Sequence, residues 1–260
     1  MSTLVRTTLL GVVETPRLGS PPHLVDRDGL PYIPTATGGV VLGLRLGDGV
    51  FDFDADHAAP GVTLSHPDPA ANHALTAYAC LGNAAVVRTG DARGAGGRVL
   101  GKRDGRVIAV FTQDVLARML PGDQVAIHAH GQGSADSLNV DPALVPALRG
   151  RSVRARVPSY LVGNGFGRPA HQWDLDLQVS AAHWRLGDLV CIDDVDVRHN
   201  AGRREGWSTV AVLVHGGSPL PGHGPGAMPI LCGPTAEMDV RVDPTGHVGV
   251  TADLLGCPGA

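Results

Sequence analysis

The sequence predicts an α+β fold that is β-rich, with barrel-like sheets and a few short helices. Three observations lead there. Gly (36) and Pro (20) are abundant in the 260 residues and break the chain into short segments. Val-rich runs are bounded by turn residues, which is the pattern of strands. A Gly-Asp turn feeding an alternating strand recurs, in Met119-Leu120-Pro121-Gly122-Asp123-Gln124-Val125 and in Arg185-Leu186-Gly187-Asp188-Leu189-Val190, with a weaker copy at Leu44-Arg45-Leu46-Gly47-Asp48-Gly49-Val50. Gly permits positive φ in such a turn and Asp caps it through its side chain, so these aspartates read as architecture.

Residues 1–35 read as an extended lead-in, because Pro16, Pro21, Pro22, Pro31 and Pro34 preclude regular helix. Asp28-Gly29 is a turn signal within it. Gly39 to Phe53 reads as strand, turn and strand, with Gly47-Asp48-Gly49 as the turn. A helix is expected over Ala71–Leu81, closed by Gly82. Short strands are expected at Ala84–Arg88 and Gly97–Gly101. Thr112–Leu120 is a second expected helix, with Thr112 as N-cap and Pro121 as stop. A third starts at Asp141-Pro142 and is short or kinked at Pro146. Together these make one compact domain over residues 1–260, in which the repeated strand starts suggest two barrel-like halves meeting near 150–160. A pocket where the halves meet would be a natural ligand site.

Composition narrows the function classes. Hydrophobic residues make up 43% and charged residues 18%, enough for a real core. A net charge of −4 and a pI near 6.3 imply no basic face, so nucleic acid is not an expected partner. No stretch approaches the roughly 18 apolar residues of a membrane span, and no secretory leader is visible. Cys80, Cys191, Cys232 and Cys257 form no C-x-x-C pair and read as free thiols of a cytoplasmic protein, with Cys80 and Cys191 as small core residues.

The strongest chemical candidates are C-terminal. The strand Ser208–Val214 ends at His215-Gly216-Gly217-Ser218, and Gly222-His223-Gly224-Pro225-Gly226 comes shortly after. A histidine at a buried strand end is held rigidly, and one between glycines leaves room for a ligand. Asp54-Ala55-Asp56-His57 supplies a second group: Asp56 and His57 can ligate a metal or form an oriented acid–base pair. A third is Asp193-Asp194-Val195-Asp196. Crowded carboxylates are tolerated when solvated, paired with arginine or bound to a cation, so Asp194 and Asp196 are candidate ligands, while Arg198, Arg203 and Arg204 offer an ion-pair explanation. Lys102 is the only lysine; nothing marks it as buried, so no Schiff-base role is assigned. Walker, G-x-S-x-G, G-x-G-x-x-G and H-E-x-x-H motifs are absent, which leaves no nucleotide cofactor and favours hydrolytic or acid–base chemistry over redox chemistry.

Further motifs carry a family resemblance. They are Thr37-Gly38-Gly39, Asp56-His57-Ala58-Ala59-Pro60-Gly61-Val62, Ala79-Cys80-Leu81-Gly82-Asn83, Gly90-Asp91-Ala92-Arg93-Gly94 with Gly101-Lys102, Leu120–Asp123 with Gly131-Gln132-Gly133, Gly187–Val190, and Val214-His215 with Gly222–Gly226. In their order and spacing the chain resembles a bacterial and archaeal family known only as domain of unknown function 4438. The resemblance covers most of the length and implies a strand-rich α+β domain, without assigning catalytic residues. Two positions depart from the family pattern: Gly216 stands where an Asp is expected, and Ala55 where a Gly is expected. The first denies His215 an adjacent carboxylate, so any partner must come from elsewhere in the fold.

The expected function is that of a cytosolic hydrolase acting on a small polar or cyclic amide-type substrate, with a divalent metal as an optional aid. His57, His215, His223 and Asp56 are the candidate catalytic groups; His57, His215, His223, Asp194 and Asp196 are the candidate metal ligands. The alternatives are a metal-free lyase, isomerase or cyclase using the same histidines, and a binding or self-assembling protein without turnover. Homo-oligomers are compatible with each. Convergence of His57, His215 and His223 to within about 5 Å is the geometric requirement for a shared metal, given bond lengths of roughly 2.0–2.2 Å.

Overall fold

A computed structural model describes residues 5–130, 138–180, 183–246 and 249–260. The motif Gly131-Gln132-Gly133 lies outside the described residues. In chain order the elements of the first half are β1 (Arg6–Val13), β2 (Leu24–Val25), β3 (Pro31–Tyr32), β4 (Val40–Val41), β5 (Gly61–Ser65), α1 (Pro69–Tyr78), β6 (Ala84–Val87), β7 (Gly96–Arg103), β8 (Arg106–Val110), α2 (Gln113–Leu116), β9 (Gln124–His130) and α3 (Val145–Leu148). The second half adds β10 (Arg156–Pro158), β11 (Val162–Asn164), β12 (Leu175–Leu177), β13 (Leu189–Asp196), β14 (Gly202–His215) and β15 (Gly226–Pro234).

The fold is β-rich, as expected. β1, β9, β6, β7, β8 and β5 pair in that order, and β5 pairs back onto β1 to close a barrel, with β4 added beside β5. The second sheet runs β10-β13-β14-β15-β12-β11 and stays open. The barrel interior is filled by Leu64, Leu75, Val99, Phe111 and Ile127, and one face of the second sheet by Leu175, Leu177, Ile192 and Leu213. A third cluster joins the two sheets: Leu100, Ile108 and Val110 of the barrel pack on Leu189, Val212, Val214 and Met228. β7 and β14 approach closely at Gly101, where an added Cβ would fall 2.6 Å from Val214 Cγ1.

The three Gly-Asp turns share one geometry. Gly47, Gly122 and Gly187 have φ of 95°, 94° and 91°. The adjoining aspartate accepts from the amide three residues back: Asp48 from Arg45 at 2.7 Å, Asp123 from Leu120 at 2.8 Å, Asp188 from Arg185 at 2.9 Å. Two of the turns feed strands, β9 and β13. The third does not. Residues 42–53 form turns, and the expected strand Val50–Phe53 is absent. Val50 instead donates its amide to Trp184 O and accepts from Gly217, so its backbone is used between loops before a ladder can form.

The helices are shorter than expected, for tertiary reasons. α1 starts at Pro69 because Asp68 caps it, accepting from Ala71 N at 2.8 Å. It ends at Tyr78, before Leu81, because Leu81 exchanges backbone bonds with Asn139 and Asp141. α2 comes after Thr112 as expected but is one turn long. The expected helix from Asp141 opens as an Asx turn, Asp141 Oδ1 accepting from Ala143 N, and only Val145–Leu148 is helical.

Lys102 departs from the expectation of an unburied lysine. It is wholly buried, and its Nζ donates to Asn139 Oδ1 and His171 O, both at 2.8 Å. Burial without a carboxylate partner lowers its pKa to about 8. Among the described residues the four cysteines are free thiols, with Cys80 and Cys191 buried, and no helix is long and apolar enough to cross a membrane.

Candidate functional site

The site forms where three strands present one cross-strand row. His215 at the end of β14 pairs with Gly226 of β15, and Gly226 pairs with Asp176 of β12. Gly226 has no side chain, so His215 and the aspartates of β12 meet over it; any Cβ there would collide with His215 Nε2 and Asp174 Oδ2. Strand alternation puts Asp174 and Asp176 on this face and turns Leu175 into the core.

The loop 54–58 docks against the chain leaving β14. His57 N donates to Gly217 O at 3.0 Å and Gly216 N to Ala58 O at 2.9 Å. Gly216 is required by this docking, because an added Cβ would fall 2.5 Å from the Phe53 ring. His57 itself has a φ of 52°, a left-handed conformation that costs a β-carbon residue about 1 kcal/mol or more. The buried Arg103 guanidinium bonds the His57 carbonyl and holds it there.

His57, His215 and His223 converge. Ring centroids lie 5.2 Å apart for His57–His215 and 5.0 Å for His57–His223. Asp56 sits beside them, with Oδ1 2.6 Å from His57 Nδ1 and Oδ2 accepting from Tyr32 OH at 3.3 Å. Asp194 and Asp196 are elsewhere. Asp194 lies on a bulge of β13, with positive φ, and accepts from Gly206 N. Asp196 pairs with Arg198 at 2.8 Å and Arg204 at 2.9 Å, and both guanidiniums stack on Trp207. Arg198 from the β13–β14 connection and Arg204 from β14 explain that cluster without a metal.

The carboxylates at the centre are Asp174 and Asp176, which sequence reasoning misses. The one signal for them is the alternation Asp174-Leu175-Asp176-Leu177, a half-polar strand pattern. Asp176 Oδ2 lies 2.8 Å from His223 Nδ1 and 3.7 Å from His57 Nε2, while its Oδ1 lies 3.5 Å from His215 Nε2. Burial would raise the Asp176 pKa, but hydrogen bonds from His215, His223 and His57 overcome it and hold the carboxyl well below the usual range. Burial opposes the His57 cation too, and Asp176 and Asp56 together raise its pKa nonetheless.

His215 finds the partner that Gly216 could not supply on a distant strand: its Nε2 is 2.7 Å from Asp174 Oδ2. Its Nδ1 is 2.8 Å from Gly216 O, and a carbonyl only accepts, so Nδ1 carries a proton. Nε2 facing a carboxylate demands a second. His215 is thus a buried imidazolium, and its pKa stands at about 9: burial lowers it, and Asp174 followed by Asp176 more than compensate.

Among the described residues, two groups could hold a metal ion: His57, Asp176 and His223, or Asp174, Asp176 and His215. Protons already fill the second. In the first, Nδ1–H of His57 faces Asp56 and leaves the Nε2 lone pair free, as in carboxylate–histidine–metal arrangements. His57 Nε2, His223 Nδ1 and Asp176 Oδ2 are separated by 3.0, 2.8 and 3.7 Å. A point about 2.1 Å from all three lies about 0.9 Å off their plane, which is the fit of one face of a metal polyhedron. Two clefts border the centre. One, of about 340 Å³, is lined by Tyr32, Phe51, Phe53 and Asp56; the other, of about 390 Å³, by Gln178, Leu220 and His223; Arg27 lines both.

Comparison with known proteins places these residues on two family models. The N-terminal model of DUF4438, a domain of unknown function, matches residues 23–145, and its C-terminal model matches 149–251. His57 and Arg103 fall in the first; Asp174, Asp176, His215 and His223 fall in the second. No curated protein matches the chain. A solved structure described as the crystal structure of TM1086 is similar, with 28% identity, a TM-score of 0.87 and 95% of each chain covered. With both models matched over most of its length, the chain belongs to the DUF4438 family.

Proposed function

We propose that the chain is a metal-assisted hydrolase of small polar or cyclic amides, with His57, Asp176 and His223 as metal ligands. The observation that carries this reading is the triangle of three donor atoms with metal-fitting separations, beside clefts of small-molecule size. A divalent ion held there would supply Lewis-acid polarisation of the amide carbonyl and activation of water near neutral pH. Asp56 orients His57 through Nδ1. The His215 imidazolium anchors Asp174 and the second oxygen of Asp176, keeping its first oxygen turned toward the histidines. Hydrolysis adds water across the C–N bond: the carbonyl carbon gains the hydroxyl, and the leaving nitrogen gains the proton.

The test is metal analysis of protein purified without a His-tag, beside turnover of a panel of small N-acyl and lactam amides. About one divalent ion per chain, with turnover abolished by chelator, is the expected result. Sub-stoichiometric Zn, Mn, Fe, Ni and Co with chelator-indifferent turnover overturns the metal version. That outcome would favour metal-free lyase, isomerase or cyclase chemistry, which the 3.0 Å His57–His223 contact supports, since one shared proton satisfies it. A cytoplasmic setting is part of the proposal, supported by the four free thiols.

A further inference from the structure

We propose that Arg27 recognises a carboxylate on the substrate, so that the site takes small carboxylate-bearing amides such as N-acyl amino acids. The proposal rests on the hydrolase reading for the reacting group, but the recognition step stands on its own geometry.

Arg27 is carried by the hairpin of β2 and β3. Asp26 Oδ1 accepts from Asp28 N and Leu30 N to shape the turn, and Arg27 N donates to Pro219 O at 3.1 Å. Its Nη2 donates to Ser218 O at 3.1 Å. Main chain and side chain are therefore both tied to the segment that runs from His215 to His223. Among the described residues no carboxylate pairs with this guanidinium, whereas Arg106, Arg154, Arg156, Arg198 and Arg204 all have one. The remaining N–H groups are free for a bidentate ligand. Arg27 also lines the 390 Å³ cleft together with His223, one of the three donor residues.

The cleft wall also offers apolar Val179 and Leu220, suited to a short aliphatic side chain.

The test compares N-acetyl-L-leucine with N-acetyl-L-leucinamide, which differ only in the carboxylate. Binding to the zinc-supplemented protein is read by calorimetry, and amide cleavage is read in parallel by amine release. The acid should bind at least tenfold tighter than the carboxamide. Arg27→Met should bring the acid down to the carboxamide's level, and Arg27→Lys should keep part of the preference, with metal content unaltered in both. Equal binding of the two probes, no binding of either, or a preference that survives Arg27→Met overturns the proposal. Preferential acid binding without turnover sinks the hydrolase reading and upholds Arg27; turnover without acid preference does the reverse.

Discussion

Replacing Asp174 by Asn removes the main support of the His215 imidazolium, and the cost should depend on pH in a defined way. His215 has its pKa raised from 6.5 to about 9, against the opposing effect of burial. At 1.36 kcal/mol per pH unit, that rise stabilises the folded state by about 3 kcal/mol. Asp174 is the larger of the two favourable contributors, so its loss should cost about 2 kcal/mol near neutrality. The direction of the shift sets the sign. A group with a raised folded-state pKa contributes fully below its unfolded pKa of 6.5, and the contribution drains away as pH climbs through about 9. Urea unfolding of wild type and Asp174→Asn in chelator, at pH 6, 7.5, 9 and 10, should show a gap that is widest at pH 6 and nearly closed at pH 10. Nitrogen-15 NMR of labelled histidine should show both His215 ring nitrogens protonated at pH 7. A gap that ignores pH, or a neutral His215 at pH 7, would refute the imidazolium assignment. It would also return His215 to the pool of metal ligands.

The same geometry sets three more expected outcomes. His57→Ala and His223→Ala should each weaken zinc binding at least a hundredfold in competition with a chromophoric chelator, whereas Asp194→Asn and Asp196→Asn should leave it within twofold. Because both arginines that pair with Asp196 are half-exposed to solvent, Asp196→Asn should cost about 1 kcal/mol or less in urea unfolding, and a larger cost would mean the cluster does more than decorate the surface. Lys102 has the opposite pH signature to His215: its folded-state pKa is lowered to about 8, so wild type should gain up to about 3 kcal/mol relative to Lys102→Met between pH 8 and 10.5, and a flat difference would show that Lys102 is solvated.

The parts of this protein legible in its sequence are those governed by short-range rules. Gly-Asp turns are written in two adjacent residues, and all three have the geometry expected. The chain just beyond Gly47-Asp48 nevertheless takes its conformation from Trp184 and Gly217, far away in sequence. His57, His215 and His223 stand out because a histidine among glycines or at a strand end is locally conspicuous. Asp194 and Asp196 stand out for a reason that fails: crowding of like charges is visible in sequence, but the arginines that relieve it are placed by the hairpin of β13 and β14. Asp174 and Asp176 escape notice because a carboxylate in an apolar strand says nothing locally about which face it uses.

By itself, then, the sequence determined the strand-rich class, the turn chemistry and the three histidines, since backbone propensity and side-chain type act over a few residues. Tertiary structure alone decided their partners. Pairing of β14, β15 and β12 put His215, Gly226 and Asp176 in one row. The docking of loop 54–58 brought His57 opposite them, and the hairpin of β2 and β3 carried Arg27 to the rim. Closure of the barrel against the second sheet buried Lys102 and Arg103. Proton positions, charge balance and any metal affinity depend on distances of about 3 Å between residues far apart in sequence, 41 positions for Asp174 and His215 and 166 for His57 and His223, and only the folded chain sets such distances.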